Sequence, residues 1–288
     1  MNGKMHATDA VPFAIDGYGV LELSGRDAAA FLHAQAMNDV RGLDDGRWQW
    51  NGVLSPKGRV LALFALLRLA PERWWAILPD RAPEALEEHL VRYRFRAKVA
   101  FAVRGDLHAS GVLRRSGDAR GPLAAVGEDG GVRLDFSGAT ERTLVLRPEP
   151  GAADPVAAAA WRREDLRHGL PRLGAGQHDA WTPQMLSLDR LQAYSVSKGC
   201  YPGQEVVART HFLGQAKRRL ALLSLSAPAE PGAAVQQDGQ AMGELVSTAA
   251  AEDGTQLALA VLATAAGEVL QLGGDVARRL ELADGLAR

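Results

Sequence analysis

From about residue 216 onward the chain consists of short β-prone runs, "RRLALLSL", "ELVSTA", "LALAVLA" and "EVLQL", separated by Pro, Gly and Asp. That texture predicts a small antiparallel barrel, with the Pro/Ala/Glu-rich "SAPAEPGAA" as a turn inside it rather than a linker. The preceding residues read differently, because strands there alternate with helices. Tyr18 to Gly25 alternates as a half-buried strand does; Ser24 and Asp27 then offer caps for a helix that sets Phe31 and Gln35 on one face. After Gly46 come two strands joined by the Ser55-Pro56-Lys57-Gly58 turn, and "RWWAILP" as a third. In the next helix Pro83 suits the first turn, and Leu86, Leu90 and Tyr93 recur at the spacing of a buried stripe. Short strands around "VAFAVRG" and "LHASGVL" lead into a loop-rich region ending near residue 150. "DPVAAAAWRREDLRHGLP" is a helix capped by Asp154, with Pro155 first, Gly169 past its end and Pro171 as the stop. A strand "AYSVS", a turn from Lys198 to Pro202 and a short helix from about Gly203 to Arg209 complete this part. The fold class is α+β.

With 288 residues, 47% of them hydrophobic and 23% charged, the chain can bury a sizeable core without covalent staples. A net charge of -1 with no domain-wide basic stripe argues against a nucleic-acid partner held through many phosphates, leaving Lys217, Arg218 and Arg219 as a local anion site. The start "MNGKMHATDAVPFAIDG" lacks the apolar core of about 7–15 residues that a leader needs, and no apolar run reaches the roughly 18 residues of a membrane span. No membrane partner and a cytoplasmic location are therefore expected. The single cysteine excludes an internal disulfide framework and a self-contained thiolate metal site. Seven histidines without an HxH or HExxH group make a metal site unexpected, and GxGxxG, GxxxxGK[ST] and GxSxG do not occur.

Cys200 is the residue that asks for chemistry. It reads either as a small buried hydrophobe or as a nucleophile. For the second reading, Lys198 supplies a nearby cation, and Pro202-Gly203 leads into a helix whose N-terminal dipole favours a thiolate. Gln204 and Glu205 read either as first-turn capping residues or as groups that pair with the N–H donors of a heterocycle.

The segment "KGCYPGQEVVAR", Lys198 to Arg209, resembles the signature of the YgfZ family of folate-binding proteins, Lys-Gly-Cys-Tyr-x-Gly-Gln-Glu, at every specified position. "LSGRDAAAFLHAQAMNDV", "SPKGRVLALFAL" and "GLPRLG…WTPQMLSLDRLQAYSVSKGCYPGQE" are similar to the family's first strand and helix, hairpin and central region. The family is related to the aminomethyltransferase of the glycine cleavage system. The resemblance implies a three-lobed ring, with two mixed α/β lobes intertwined in residues 1–214 and a C-terminal antiparallel β-barrel in 215–288. It further implies a site for tetrahydrofolate or another reduced folate, lined by Tyr18, Trp161, Tyr201, Gly203, Gln204, Glu205 and Arg209, with Cys200 and Lys198 as catalytic residues. The loop from Lys198 to Glu205 is expected to face the same cavity as Tyr18 and Trp161.

The aminomethyltransferases carry paired aspartates just after the hairpin glycines, where this chain has Val60-Leu61-Ala62. Their central helix reads Arg-Leu-Glu-x-Gly, against Asp165-Leu166-Arg167-His168-Gly169 here. Without an acid to steer charge at the folate nitrogen, glycine-cleavage activity is not expected. The resemblance thus implies a folate-binding protein that assists assembly or repair of iron–sulfur clusters in client enzymes, with a link to tRNA modification. The alternatives are a folate-dependent one-carbon transferase and a folate-free scaffold.

Overall fold

In a computed structural model, residues 11–115, 117–127, 130–214, 216–251 and 254–288 are described. The first ten residues of the segment searched for a leader, and residue 215, where the barrel region was expected to begin, lie outside them. Four α-helices are present among the described residues: α1 (Ala28–Gln35), α2 (Pro83–Val91), α3 (Pro155–Arg167) and α4 (Gln204–Leu213).

Three β-structures carry them. One five-stranded antiparallel sheet runs in the order Trp48–Leu54, Val60–Ala70, Arg73–Leu78, Gly19–Ser24 and Ala100–Val103. The strand "VLALFALL" reads as one hydrophobic run because both faces of this sheet are covered. Leu63, Ala65 and Leu67 point to the central core, while Ala62, Phe64 and Leu66 point to the layer that holds Phe31, Leu32, Leu86 and Leu90 of α1 and α2. The alternation of side chains across a strand makes this division.

A second five-stranded sheet has the order Phe13–Ala14, His108–Val112, Thr143–Arg147, Val132–Asp135 and Ala125–Val126. From Phe13–Ala14 in this sheet the chain crosses to the first and then returns, so the two sheets are interleaved in sequence. The third structure is a closed barrel of six strands in the order Arg218–Leu225, Gln256–Ala263, Gln240–Ala250, Ala234–Gln237, Val269–Leu272 and Asp275–Leu280. Ala221, Leu223, Ala258 and Ala260 fill its interior, while Leu220, Leu222, Leu257 and Leu259 belong to the central core shared with both sheets. The C-terminal residues then return to the sheets: Trp50 Nε1 donates to Leu286 O at 2.8 Å, and Arg288 Nη2 to Ser137 O at 2.7 Å.

Several local expectations change. "AYSVS" forms no strand. The region before residue 150 contains the strands Val132–Asp135 and Thr143–Arg147, which the Gly-rich texture concealed. α4 runs to Leu213, past the expected end at Arg209. Asp27 stands at the N-cap of α1, but its Oδ2 accepts the Lys98 backbone N–H at 2.6 Å instead of capping the helix. Asp154 does cap α3, accepting Ala157 N–H at 2.9 Å. No helix among the described residues is long and apolar enough to cross a membrane.

Candidate functional site

The residues expected to share one cavity fall in two places. The first is a cleft between α3 and the barrel strand Gln240–Ala250. α3 buries Trp161, Asp165 and Leu166, and the turn after Gly169 brings Arg172 back against the helix. Asp165, fully buried, accepts Arg142 Nη1 on Oδ1 at 2.6 Å and Arg172 Nη2 on Oδ2 at 2.7 Å. Arg142 is also fully buried and donates to Phe136 O and Trp161 O. Two guanidinia thus share one carboxylate inside the core, an arrangement that holds only while every member is present.

Tyr18 and Trp161 flank these cations. The Arg172 guanidinium stands 4.6 Å from the Tyr18 ring centroid, and that of Arg142 stands 4.8 Å from the Trp161 ring. Trp161 was expected as a stacking platform. It is 1% exposed, with Phe136 stacked at 5.8 Å and Phe13 at 6.4 Å in a T-shaped arrangement, so little of the ring is left open where it lines the larger cavity. The Tyr18 hydroxyl is close enough to Trp161 Nε1 to feel it, yet the pair misses hydrogen-bond geometry and both atoms are buried without a partner. Burial pushes the Tyr18 phenol up to about 12.

The cleft comprises two adjoining cavities of 390 and 340 Å³ that share Asp16, Arg162, Arg172 and Thr248 as wall residues. Each lies in the size range of small-molecule sites, roughly 300–1,000 Å³. Arg162 is exposed at both, with no hydrogen bond or ion pair for its side chain among the described residues. Asp80 lines the smaller one. Its Oδ2 accepts Leu173 N–H at 2.5 Å, while Oδ1 is buried with no partner. Burial raises the Asp80 carboxyl to about 6, against the opposing pull of the Leu173 N–H and of Arg172 and Arg81.

The sign of the resulting pH dependence follows from that shift. A carboxyl whose folded pKa exceeds its unfolded value favours the fold at low pH, and the contribution is lost as pH rises through about 6. Asp80→Asn keeps an acceptor for Leu173 and removes the charge. It is expected to stabilise the protein by about 2–3 kcal/mol at neutral pH and by little below pH 4. Urea unfolding at the two pH values checks this; an equal effect at both refutes it.

The second place is the signature loop. Lys198 is 6% exposed, and its Nζ donates to His33 O and Ala36 O, each at 2.5 Å, and to Asn38 O at 3.3 Å. These are the carbonyls at the C-terminal end of α1, where a cation is favoured by the helix dipole. Lys198 also lies 4.8 Å from the Tyr201 ring, and burial lowers its ammonium to about 8. Its donors are directed at α1, and none of these bonds is to Cys200. Cys200 itself is exposed. Tyr201 is buried with its hydroxyl donating to Ser195 O at 3.2 Å, and Gln204 Oε1 accepts Tyr201 N–H at 3.3 Å. Glu205 and Arg209 are exposed on α4. None of these loop residues lines either cavity of the cleft, and neither does Tyr18, so of the expected site residues only Trp161 stands in its wall.

Gly203 seats the loop. Its φ is +78°, and a Cβ there would stand 2.5 Å from Ser55 O and 2.7 Å from Gly58 Cα. Gly58, with φ +69°, has the mirror relation to Gly203 O and Val206. The hairpin turn and the signature loop thus meet glycine to glycine.

Sequence reasoning missed Arg142, Arg162, Arg172 and Asp80. Arg172 was within a stretch matched to the family, but no spacing signals that residues 142, 165 and 172 meet. At the place of the enzymes' aspartates, Leu61 and Ala62 offer no carboxyl, and Leu61 O accepts a hydrogen bond from Arg81.

No family model matches the chain. It is 25% identical over 272 residues to a tRNA-modifying protein YgfZ of Colwellia psychrerythraea, covering 85% of this chain and 83% of the relative. It is 26% identical over 276 residues to the tRNA-modifying protein YgfZ of Aliivibrio fischeri, covering 86% and 83%. An uncharacterized protein of Haemophilus influenzae is 29% identical over 219 residues, 74% and 73% of the two chains. Among solved structures, the glycine cleavage system aminomethyltransferase T from Bartonella henselae superposes with a TM-score of 0.70 over 94% of this chain and 85% of that one, at 16% identity. The fold is therefore aminomethyltransferase-like, and the resemblance to YgfZ proteins extends over most of the chain.

Proposed function

We propose that this protein binds a reduced folate and serves tRNA modification through the maintenance of iron–sulfur clusters in client enzymes. The observation that carries the folate part is the cleft beside Arg172, where Trp161 lines the larger cavity and Asp80 the smaller, and where Trp161 Nε1 and Asp80 Oδ1 are buried without partners. Buried polar groups are normally hydrogen-bonded, so such a set is what a polar heterocycle would satisfy. Asp80 can accept from a pterin's N–H donors, and Arg162 can meet an anionic glutamate tail at the mouth. A bound reduced folate supplies a nitrogen that carries one-carbon units. The residues at Leu61 and Ala62 give it no acid for transfer, which favours the maintenance role over a one-carbon transferase.

Cys200 acts in this reading from an exposed loop, where a client protein can reach it. The relatives' name supports the tRNA link, and the iron–sulfur step is the finer part of the proposal.

Calorimetric titration with tetrahydrofolate under anaerobic conditions tests the reading. Wild type is expected to bind, Cys200→Ala to bind equally, and Arg162→Ala about 10-fold more weakly, the scale of one charge-assisted hydrogen bond. Absence of heat with the wild type sinks the folate part. Unchanged activity of cluster enzymes in cells carrying Cys200→Ala sinks the role given to the thiol.

A further inference from the structure

Directly after α2 the chain reads Arg92-Tyr93-Arg94-Phe95-Arg96-Ala97-Lys98. Tyr93 and Ala97 pack inward on the layer beneath α1 and α2, leaving Arg92, Arg94, Phe95, Arg96 and Lys98 exposed. Phe95 is 88% exposed and has a φ of +42°. A bulky L residue is disfavoured in the left-handed region, and burial of its ring would be the ordinary compensation. Here the ring gains no burial. Backbone strain of this kind tends to gather at functional positions.

Of the charges around the ring, one is paired and three are free to act. Arg92 is paired with Glu88 at 2.5 Å. The side chains of Arg94, Arg96 and Lys98 make no hydrogen bond or ion pair among the described residues. Exposed Arg26 follows Gly25, whose backbone packs on Lys98 O. The acids nearby are Asp27, which holds the Lys98 backbone N–H, and Glu72, whose carbonyl accepts Gly25 N–H. Three cations and no carboxylate thus stand in the wall of an open depression of 510 Å³ lined by Ser24, Gly25, Arg94, Phe95, Arg96 and Lys98. The whole-chain charge of -1 hides this local excess.

We propose that this loop is an RNA-docking surface, with Arg94, Arg96 and Lys98 on phosphates and Phe95 stacked on an unpaired base. Exposed aromatic rings interleaved with cations suit single-stranded segments, because every base offers a π-face and every nucleotide a phosphate. A membrane surface would call for a broad apolar face, and Phe95 stands among cations instead. The inference goes beyond the function proposed above, since a protein that only maintains modifying enzymes needs no RNA surface of its own.

Fluorescence anisotropy with the full chain tests it, using a labelled RNA stem-loop, a fully paired duplex of the same stem, and vesicles containing phosphatidylserine. The stem-loop is expected to bind better than the duplex. Phe95→Gly, which also relieves the backbone strain, is expected to lose about 10-fold or more on the stem-loop and little on the duplex. The triple variant Arg94→Ala, Arg96→Ala, Lys98→Ala is expected to bind both RNAs weakly and to flatten the salt dependence by a slope of about 2. Tetrahydrofolate binding should stay at the wild-type level in both variants, which separates failure here from failure of the folate reading. Wild-type RNA affinity in both variants, or no RNA binding by the wild type, overturns the proposal. Phe95-dependent binding to the vesicles without binding to RNA also overturns it, in favour of a membrane surface.

Discussion

Asp165→Ala is expected to destabilise the protein by about 3–5 kcal/mol, the cost of breaking a buried ion pair from one side. The carboxylate is fully buried between Arg142 and Arg172, and Arg142 is itself without exposure. Removing the anion leaves a guanidinium in the core with only the Phe136 and Trp161 carbonyls to answer it. The same substitution takes from Arg172 its ion pair and leaves its guanidinium over the Tyr18 ring only the Pro79 and Asp16 carbonyls. Folate affinity is therefore expected to fall together with stability. Guanidinium unfolding of wild type, Asp165→Ala and Asp165→Ala/Arg142→Met reads the effect. The double variant should recover part of the loss, because it takes away the cation that the first change strands. A loss below about 1 kcal/mol in the single variant, or a double variant worse than the single, would show that the carboxylate is not the centre of the network.

Much of the architecture was legible because it rests on local chemistry. The α3 boundaries follow from Asp154, Pro155 and Gly169, and the hairpin from Ser55-Pro56-Lys57-Gly58. The barrel follows from β-runs with breakers between them. What stayed hidden depends on distant residues. Val132–Asp135 and Thr143–Arg147 become strands by pairing with each other and with His108–Val112, and a Gly-rich sequence around them conceals that pairing. The resemblance implies a ligand face for Trp161, and nothing in the sequence tells that Phe13 and Phe136 will pack on its ring. Lys198 was placed beside the thiol by sequence distance, while its ammonium reaches carbonyls at positions 33 and 36 that only the fold brings near. Asp80 and Arg162 carried no signal at all, since an isolated charge beside a strand end or on a helix reads as a solvated one. The local charge excess around Phe95 was diluted by acids elsewhere when the chain was summed as one.

Gly203→Ala is expected to cost about 2–5 kcal/mol and to loosen the whole signature loop. Two effects add. The left-handed backbone at φ +78° disfavours any Cβ by about 1–2 kcal/mol. The added carbon would also meet Ser55 O at 2.5 Å and Gly58 Cα at 2.7 Å, which are backbone atoms of a tight turn and cannot yield as a flexible side chain does. Overpacking of this kind typically costs a further 1–3 kcal/mol. Gly46→Ala separates the two, because Gly46 has φ +76° with nothing within 4 Å of its Cβ position and therefore reports strain alone. The difference between the variants in denaturant midpoints measures the close approach. If that approach seats the loop, Gly203→Ala will also raise hydrogen exchange at Tyr201 and at Lys198, whose backbone N–H and ammonium are held by Ser195 and α1. Gly46→Ala will leave that exchange as in the wild type. Equal costs for the two variants, with no change in exchange at the loop, would mean that hairpin and loop can separate freely. The glycine-to-glycine contact would then not be what holds Cys200 at the surface.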